Sequence, residues 1–222
     1  MATLLLRLAG PMQAWGTTSR FDERDSGMEP SKSGVIGMIC AALGRDRSLP
    51  VDDLAALRMA VRVDREGLLM RDYQTSTGVL LATGKADAKR TVVSPRFYLS
   101  DAFFLVGLEG EASLLTTIHA ALQRPVWPLS LGRKAMPPSL PVWLPEGVQQ
   151  ADLLKVLRTW PRLANGSGGQ GEQAVQSLRL MLEHPSEGAV RLDQPVGPFA
   201  QRRFGPRFVK PEVIHVSDQT QA

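Results

Sequence analysis

The order of apolar runs along the chain restricts its fold more than any single motif does. Residues 3–10, TLLLRLAG, are typical of a mostly buried strand, and residues 34–43 predict a helix that ends at Gly44. Residues 102–110, AFFLVGLEG, predict a further strand, and residues 111–123 place apolar side chains at helical spacing. Strands and helices therefore alternate, and the 16 prolines and 20 glycines also argue against a purely helical bundle.

The segments between these runs predict further strands and a short helix, and together they indicate a fold type. Residues 50–59 predict a short helix that opens on two aspartates, and residues 60–67 and 68–76 predict two strands around a turn at Gly67. If the short helix is set aside, the remaining order is similar to βαββαβ with one additional strand before the second helix, and residues 126–132 are the candidate for the last strand. This order predicts an α+β fold of the ferredoxin-like (RRM-like) type.

The part that follows is less regular. Residues 150–158 predict a helix, and strands are predicted near residues 177–182 and 188–193. A Gly-rich stretch before these strands, NGSGGQGEQ, is typical of a surface connection. We therefore predict a first domain of residues 1–125 and a smaller β-rich C-terminal region of residues 126–222.

Charge and cysteine content narrow the class of protein only loosely. The formal net charge is +4 and the isoelectric point is about 9.6, which slightly favours polyanionic partners. Cys40 is the one cysteine, so no disulfide can form within the chain and a reducing compartment is expected. The longest apolar run, VIGMICAALG, falls well short of the roughly 20 residues that a membrane-spanning helix needs. We therefore expect a cytoplasmic protein with no membrane partner.

The run GMEPSKSG resembles half of a nucleotide-binding loop. A Walker A loop needs G-x-x-x-x-G-K-[ST], whereas Gly27 is one residue too close and Ser31 stands where the second glycine belongs. The spacing therefore argues against nucleotide hydrolysis. Ser31, Lys32 and Ser33 do stand at a predicted helix start, where free N–H groups and the helix dipole favour a phosphate. The alternative is an N-cap serine beside a solvated lysine.

No arrangement of residues is typical of an active site. His119, His184 and His215 have no partnered serine, cysteine or second histidine, and His119 lies on the predicted amphipathic helix. Cys40, among apolar neighbours, is expected to be an inert core thiol. Neither paired carboxylates nor cysteine–histidine clusters with metal spacing stand out, so we expect no metal and no cofactor.

Basic residues form three clusters. In residues 79–96 a single acid, Asp87, faces four cations, which are Lys85, Lys89, Arg90 and Arg96. Residues 194–211 interleave arginines and a lysine with phenylalanines and contain no acid, and residues 129–139 add a Gly-Arg-Lys turn. Cations among aromatic rings can neutralise phosphates and offer stacking faces for bases. The same pattern also fits a strand with phenylalanines in the core and arginines in solvent.

Five separated blocks follow one another along the first two thirds of the chain. They are LRLAGPMQAWG (6–16), PSKSGVIGMICAALGRDR (30–47), MRDYQTSTG (70–78), RFYLSDAFFLVGL (96–108) and LSLGRKAMPPSLPV (129–142). Together they resemble the CasD family, the five-prime-handle-binding subunit of the type I-E CRISPR Cascade complex within the RAMP superfamily. The resemblance spans about residues 3–142 and is looser beyond them.

The resemblance implies a ferredoxin-like RAMP domain with a β-hairpin thumb at about residues 79–96. It also implies a non-catalytic subunit that binds the five-prime handle of the crRNA and caps the backbone of the complex. The implied neighbours are a CasC-type backbone subunit and a CasA-type large subunit, and target DNA is met only through the complex. The RNA-binding residues predicted in this way are Arg20, Ser31, Lys32, Ser33, Arg71, Tyr73, Lys85, Lys89, Arg90, Arg96, Arg133 and Lys134.

Two other functions stay open from the sequence. One is a metal-independent endoribonuclease that processes CRISPR repeat RNA, with His119 or Tyr73 as the nearest candidates for a general base or acid. The other is a subunit that only bridges proteins, whose assembly is indifferent to loss of every basic cluster.

Overall fold

The computed structural model of the chain describes residues 1–17, 23–80, 83–84, 87–163 and 176–216. The predicted RNA-binding residues Arg20 and Lys85 and the Gly-rich stretch 165–173 lie outside the described residues. The described strands are β1 (Ala2–Ala9), β2 (Met12–Gln13), β3 (Arg58–Arg65), β4 (Leu68–Thr77), β5 (Thr91–Ser100), β6 (Phe103–Gly110), β7 (Trp143–Gln149), β8 (Gln176–His184), β9 (Ala189–Pro195) and β10 (Phe204–Val216). The helices are α1 (Lys32–Leu43), α2 (Asp52–Ala55), α3 (Ala112–Gln123) and α4 (Leu153–Thr159), with a 3-10 turn at Phe199–Gln201.

Seven strands form one sheet in the order β7-β1-β6-β3-β8-β10-β9, and neighbouring strands in it are antiparallel. A second sheet has the order β2-β5-β4. The mixed α/β architecture that the sequence predicts is therefore present. One sheet also spans the predicted domain boundary at residue 125, because β7 pairs with β1 and β8 pairs with β3.

Side chains of the large sheet alternate between two helical layers. Leu4, Leu6 and Leu8 of β1 lie in the core beneath α1 and α3, whereas Leu5 packs with Leu105 in the core beneath α4. Because both faces of β1 are covered, its sequence is a nearly continuous apolar run instead of an alternating one.

The prediction that residues 126–132 form the last βαββαβ strand is wrong. The outer neighbour of β1 is β7, Trp143–Gln149, which begins further along the chain than the predicted strand. Pro125 and Pro128 have no N–H to donate to a ladder, which makes this segment a poor strand. Val126 and Trp127 instead donate their backbone N–H groups to the carboxyl end of α1.

The other predicted elements differ mainly at their ends. The helix predicted over residues 50–59 is reduced to α2, because β3 begins at Arg58 and pairs with β6 and β8. The elements predicted near residues 150–158, 177–182 and 188–193 are present as α4, β8 and β9. In the basic and aromatic segment of residues 194–211, the part from Phe204 onward belongs to β10.

A long hairpin of β4 and β5 projects the basic residues of the predicted thumb. Its ladder runs from Leu68 opposite Ser100 to Thr77 opposite Thr91. The paired strands therefore occupy residues 68–77 and 91–100, so the hairpin begins earlier than the predicted thumb at 79–96. We call the Leu68–Ser100 end the foot of the hairpin, since β2 pairs with β5 there.

Candidate nucleic-acid interface

The start of α1 binds an anion of the chain itself. The Ser31 Oγ accepts the N–H of Gly34 at 3.3 Å, as an N-cap serine does. The N–H of Lys32 donates to Asp193 Oδ2 at 2.8 Å, and Arg207 holds the same carboxylate through contacts of 2.6 and 2.9 Å. The Asp193 carboxylate therefore occupies the position that a helix start offers to a phosphate.

Lys32 is buried in an ion pair. Its Nζ lies 3.0 and 3.1 Å from the carboxylate oxygens of Glu183, and its side chain is 1% exposed. Burial lowers the pKa of Lys32, and the charge of Glu183 opposes that shift. The prediction that Lys32 binds RNA phosphate is therefore wrong, because its ammonium group does not reach the surface. The pair instead joins α1 to β8.

Replacing Lys32 by methionine is expected to lower the free energy of unfolding by about 3 kcal/mol while leaving the RNA affinity of the folded protein unchanged. The loss stays near the low end for a broken buried pair because Glu183 keeps Arg207 at 3.7 Å and the N–H of Met59 at 3.2 Å. Urea unfolding and RNA anisotropy measure the two effects. Lys155→Met, at an exposed position of α4, is the matched control. It is expected to lower the free energy of unfolding by less than about 0.5 kcal/mol. A weakened RNA affinity in folded Lys32→Met would contradict this assignment.

Residues 132–134, Gly-Arg-Lys, form a turn that we call the basic turn. It is anchored by two backbone hydrogen bonds, from Ala14 N to Leu131 O at 3.0 Å and from Leu131 N to Met136 O at 2.8 Å. Gly132 has a φ of +94°, and a Cβ there would lie 1.7 Å from the Ala14 carbonyl oxygen. The position therefore requires glycine, and the close approach fixes the two basic residues that follow it.

Two guanidinium groups meet between the basic turn and the foot of the hairpin. Arg133 donates to the carbonyl oxygens of Arg24 at 3.1 Å and Asp25 at 3.3 Å, which fixes its side chain. Arg96 and Arg133 line a cavity of about 490 Å³ together with Lys134. Burial lowers the pKa of Arg133, and the positive charge of Arg96 lowers it further. An anion bound between the two would relieve this repulsion.

The cavity holds polar groups that a ligand can use. The Nε of Arg96 is buried and has no hydrogen-bond partner within the described residues. Asp72, which stands opposite Arg96 in the ladder, also lines the cavity and accepts a hydrogen bond from Gln74 at 2.5 Å. Three cations therefore share the cavity with one carboxylate, which favours an anionic ligand.

Two further cavities adjoin the basic turn. One, of about 280 Å³, is lined by Arg133 and by the helix-start residues Ser31 and Ser33, so that the latter two reach the same surface. The other, of about 570 Å³, is lined by Lys134 and lies over the middle of α1. Since Arg133 and Lys134 each line two of the three cavities, the cavities surround the basic turn. We call this set of three the basic-turn groove.

Comparison with known proteins identifies the family. A family model described as CRISPR-associated protein (Cas_Cas5) matches residues 3–210. The chain belongs to this Cas5 family. It is 33% identical over 216 residues to the CRISPR system Cascade subunit CasD of Escherichia coli (strain K12), which covers 90% of this chain and 93% of that protein.

Solved structures agree with this assignment. A crystal structure of a Cas protein is 49% identical, with a TM-score of 0.77 and coverage of 96% of this chain and 95% of the other. A chain of a CRISPR RNA-guided surveillance complex is 34% identical, with a TM-score of 0.80 and coverage of 97% and 91%. The whole described fold of this Cas5 chain is therefore similar to those of known CRISPR proteins.

The remaining predicted RNA-binding residues of the Cas5 chain lie along the hairpin. Arg71 and Tyr73 are on β4, where Arg71 lies 5.9 Å from the centroid of the Phe97 ring and Tyr73 is 68% exposed. Lys89 and Arg90 lie beyond the last ladder pair, at the tip. At about 3.4 Å per residue they are roughly 20 Å from Arg96 along the strand. They are therefore a separate basic group from the basic-turn groove.

Several groove residues were missed by the sequence reasoning. They are Arg45, Arg47 and Trp127, which line the largest of the three cavities. Phe199, one of the phenylalanines of the basic segment 194–211, lines the largest and the smallest of the three. Trp127 had one usable signal, since a tryptophan between two prolines cannot be the centre of a ladder. Arg47 had none, because a lone arginine after a helix is ordinary in any chain. Arg207, in contrast, belongs to the buried Asp193 pair and not to the surface.

His119 and Cys40 lie in surroundings that do not suit them for catalysis. His119 Nε2 lies 2.9 Å from Leu144 O, and its ring contacts Trp143 edge to face. Burial raises the pKa of the Cys40 thiol to about 11, which leaves little thiolate at neutral pH. Within the described parts of the chain no group of three histidine, cysteine, aspartate or glutamate side chains could hold a metal. No described helix is long and apolar enough to cross a membrane.

Proposed function

We propose that this Cas5 chain is a non-catalytic crRNA-binding subunit of a Cascade-type complex, acts in the cytoplasm and holds the five-prime handle in the basic-turn groove. The observation that supports this most is the convergence of Arg96, Arg133 and Lys134 on one surface that the chain leaves open. The CasD relative is a Cascade subunit and the similar solved complex is RNA-guided, which agrees with RNA as the anion.

Single-stranded RNA suits the groove better than a small anion does. Cations in three adjoining cavities match the repeated phosphates of a strand, and the exposed tryptophan and phenylalanine rings offer faces to unpaired bases. Contacts with the backbone would position the RNA without reading its sequence.

The strand order supports a ferredoxin-like RAMP domain as the scaffold. If β1, β3, β6 and β7 are taken as the four strands of a βαββαβ unit, the fourth strand lies beside the first, and the third lies between the first and the second. This is the strand order of the ferredoxin-like fold. Because β7 completes this unit, the boundary proposed at residue 125 falls inside it, and the proposed smaller β-rich C-terminal part lies beyond β7. We propose that this part closes the groove, since its residues Phe199 and Phe204 line it.

Neighbouring subunits are the partners proposed for the hairpin. Leu68, Leu69 and Met70 at its foot are between 42% and 70% exposed, and Tyr73 continues the same strand. A CasC-type backbone subunit and a CasA-type large subunit are the candidates, with target DNA reached only through the complex. Lys89 and Arg90 at the tip are the proposed contacts to the guide where handle meets spacer.

CRISPR repeat RNA incubated with the purified protein is expected to stay full length, in EDTA and in magnesium alike, while it binds with strong salt dependence. The reason is that neither His119 nor Tyr73, the candidates for a general base or acid, lines the groove. Gel analysis measures cleavage and anisotropy measures binding. Specific cleavage that disappears in His119→Ala or Tyr73→Phe would favour the endoribonuclease instead.

A photo-crosslink from the basic turn tests the assignment in the assembled complex. The chain is purified with its neighbouring subunits, a photoreactive residue replaces Lys134, and the bound RNA is extracted and sequenced. The proposal expects the crosslink at the five-prime end of the crRNA. A crosslink confined to another subunit, with the five-prime end against a different protein, would overturn it.

A further inference from the structure

Trp127 stands at the edge of the basic-turn groove with most of its ring in solvent. It is 60% exposed, whereas Trp15, the other tryptophan near the groove, is 1% exposed. An exposed tryptophan ring offers a large flat apolar surface to a ligand. Its position on a cavity of about 570 Å³ makes it the strongest candidate for a ligand contact that the chain itself does not fill.

The backbone around Trp127 is rigid. Val126 N donates to Ala42 O at 3.0 Å and Trp127 N donates to Ala41 O at 3.1 Å, which ties the segment to the carboxyl end of α1. Pro125 and Pro128 restrict φ on both sides. Because the backbone that carries Trp127 is already fixed, binding to its side chain does not have to order this segment of the chain.

The charges beside Trp127 favour an anion. Arg47 and Lys134 line the same cavity, and Lys134 forms no ion pair within the described residues. Arg45 is neutralised by Asp53 at 2.5 and 2.8 Å, and among the described residues that line the cavity Asp46 is the one carboxylate. A flat apolar face beside two available cations matches a base with its adjoining phosphates.

We propose that Trp127 is a stacking platform for one unpaired base of the bound RNA, with Lys134 and Arg47 contacting the phosphates on either side. The inference rests on the proposed function, because it assumes RNA in the basic-turn groove. Stacking on an aromatic side chain accepts any base, so Trp127 contributes affinity for single strands without specifying sequence. Duplex RNA gains nothing from Trp127, since its paired bases are already stacked.

A protein partner is the competing occupant of the Trp127 surface. Val126, directly before Trp127, is 61% exposed and would share any apolar protein interface. An aliphatic side chain provides no π-face for a base, so Val126 serves as the matched control. The cationic surroundings favour RNA, and the test separates the two.

The test compares two probes of equal charge on the full-length protein. One is a labelled oligoadenylate of about 12 nucleotides, within the usual site sizes of single-strand binders, and the other is an abasic oligomer with the same phosphates. Wild type is expected to bind oligoadenylate about tenfold more tightly than the abasic strand. Trp127→Ala should lose this preference, Trp127→Phe should keep most of it, and Val126→Ala should keep all of it.

The outcomes separate this inference from the proposed function. If Arg133→Glu/Lys134→Glu abolishes binding of both probes while Trp127→Ala keeps the full preference for oligoadenylate, the groove binds RNA and the stacking role is wrong. If Trp127→Ala and Val126→Ala leave both probes unaffected but release a neighbouring subunit on copurification, the surface is a protein interface and the inference is overturned. If charge reversal affects neither probe, the proposed function itself fails.

Discussion

Replacing Arg62 by methionine is expected to lower the free energy of unfolding by about 3–5 kcal/mol, the largest stability loss predicted for this chain. Arg62 and Asp64 are both 0% exposed and are joined by contacts of 2.7 and 2.9 Å. The same guanidinium donates to three carbonyl oxygens at and just after the end of α4, those of Leu157, Trp160 and Pro161. Methionine leaves these carbonyls and a buried carboxylate without their donor.

The large loss of stability is expected because Arg62 joins β3 to the carboxyl end of α4, two elements that are far apart in the sequence. Arg62 is on β3, and the carbonyls it caps follow it by nearly 100 residues. The local cap at this end is the hydrogen bond from Trp160 N to Val156 O at 2.9 Å. Arg62 adds donors for the carbonyls of Leu157, Trp160 and Pro161, and it also holds the helix to the sheet. Asp64 keeps one partner after the substitution, the N–H of Leu163 at 2.6 Å, so its charge is only partly stranded.

Urea unfolding measures the change, with Arg58→Met as the matched control on the same strand. The Arg58 side chain is 44% exposed and its contact to Glu109 is 3.4 Å, so a loss of less than about 1 kcal/mol is expected. Adding Asp64→Asn to Arg62→Met should recover part of the loss, because it removes the unpaired charge. Equal losses in Arg62→Met and Arg58→Met would show that the buried network does not hold α4.

Reversing the two charges of the basic turn, as Arg133→Glu/Lys134→Glu, is expected to weaken RNA binding by about 100-fold or more at low salt. Each residue lies where two cavities adjoin, so each reversal places a carboxylate on the proposed path of the phosphates. The alanine pair Arg133→Ala/Lys134→Ala should weaken binding less. It should also reduce the slope of log affinity against log salt by about 1.4, since each lost contact to single-stranded phosphate removes about 0.7.

The control for this prediction is Lys155→Glu/Arg158→Glu on α4. It makes the same change in net charge on the opposite face of the large sheet, where α4 packs. Little change in RNA affinity is expected from it, and circular dichroism verifies that both variants are folded. If the α4 variant weakens binding as much as the basic-turn variant, only net charge matters, and the basic-turn groove is not the binding site.

Short-range patterns predicted much of this site. The Gly-Arg-Lys turn is recognisable because glycine before two cations marks a tight turn, and the structure shows why that glycine is required. Arg96 belongs to a basic segment that the sequence displays directly, whereas the hairpin was implied by the resemblance to the CasD family. The turn and the basic segment depend on residues within a few positions of one another.

The errors share one physical cause. Lys32 has the sequence surroundings of a phosphate ligand, yet Glu183, 151 residues away, pairs with it in the core. Trp127 looks like one more apolar side chain in a strand, and its exposure is set by the end of α1, more than 80 residues earlier. Whether a charge meets solvent or a partner depends on which distant strands pair, and local sequence does not contain that information.

The chain's own residues were enough to settle the alternation of strands and helices, the family and the placement of positive charge on turns. Folding decided which of those charges remain outside. The lysine and arginine at the start of α1 and on β10 were drawn into pairs with Glu183 and Asp193, because an ion leaves water only when a partner replaces its hydration. Arg133 and Lys134 stayed at the surface, since the turn that holds them is anchored by backbone groups and leaves their positive charge for a ligand.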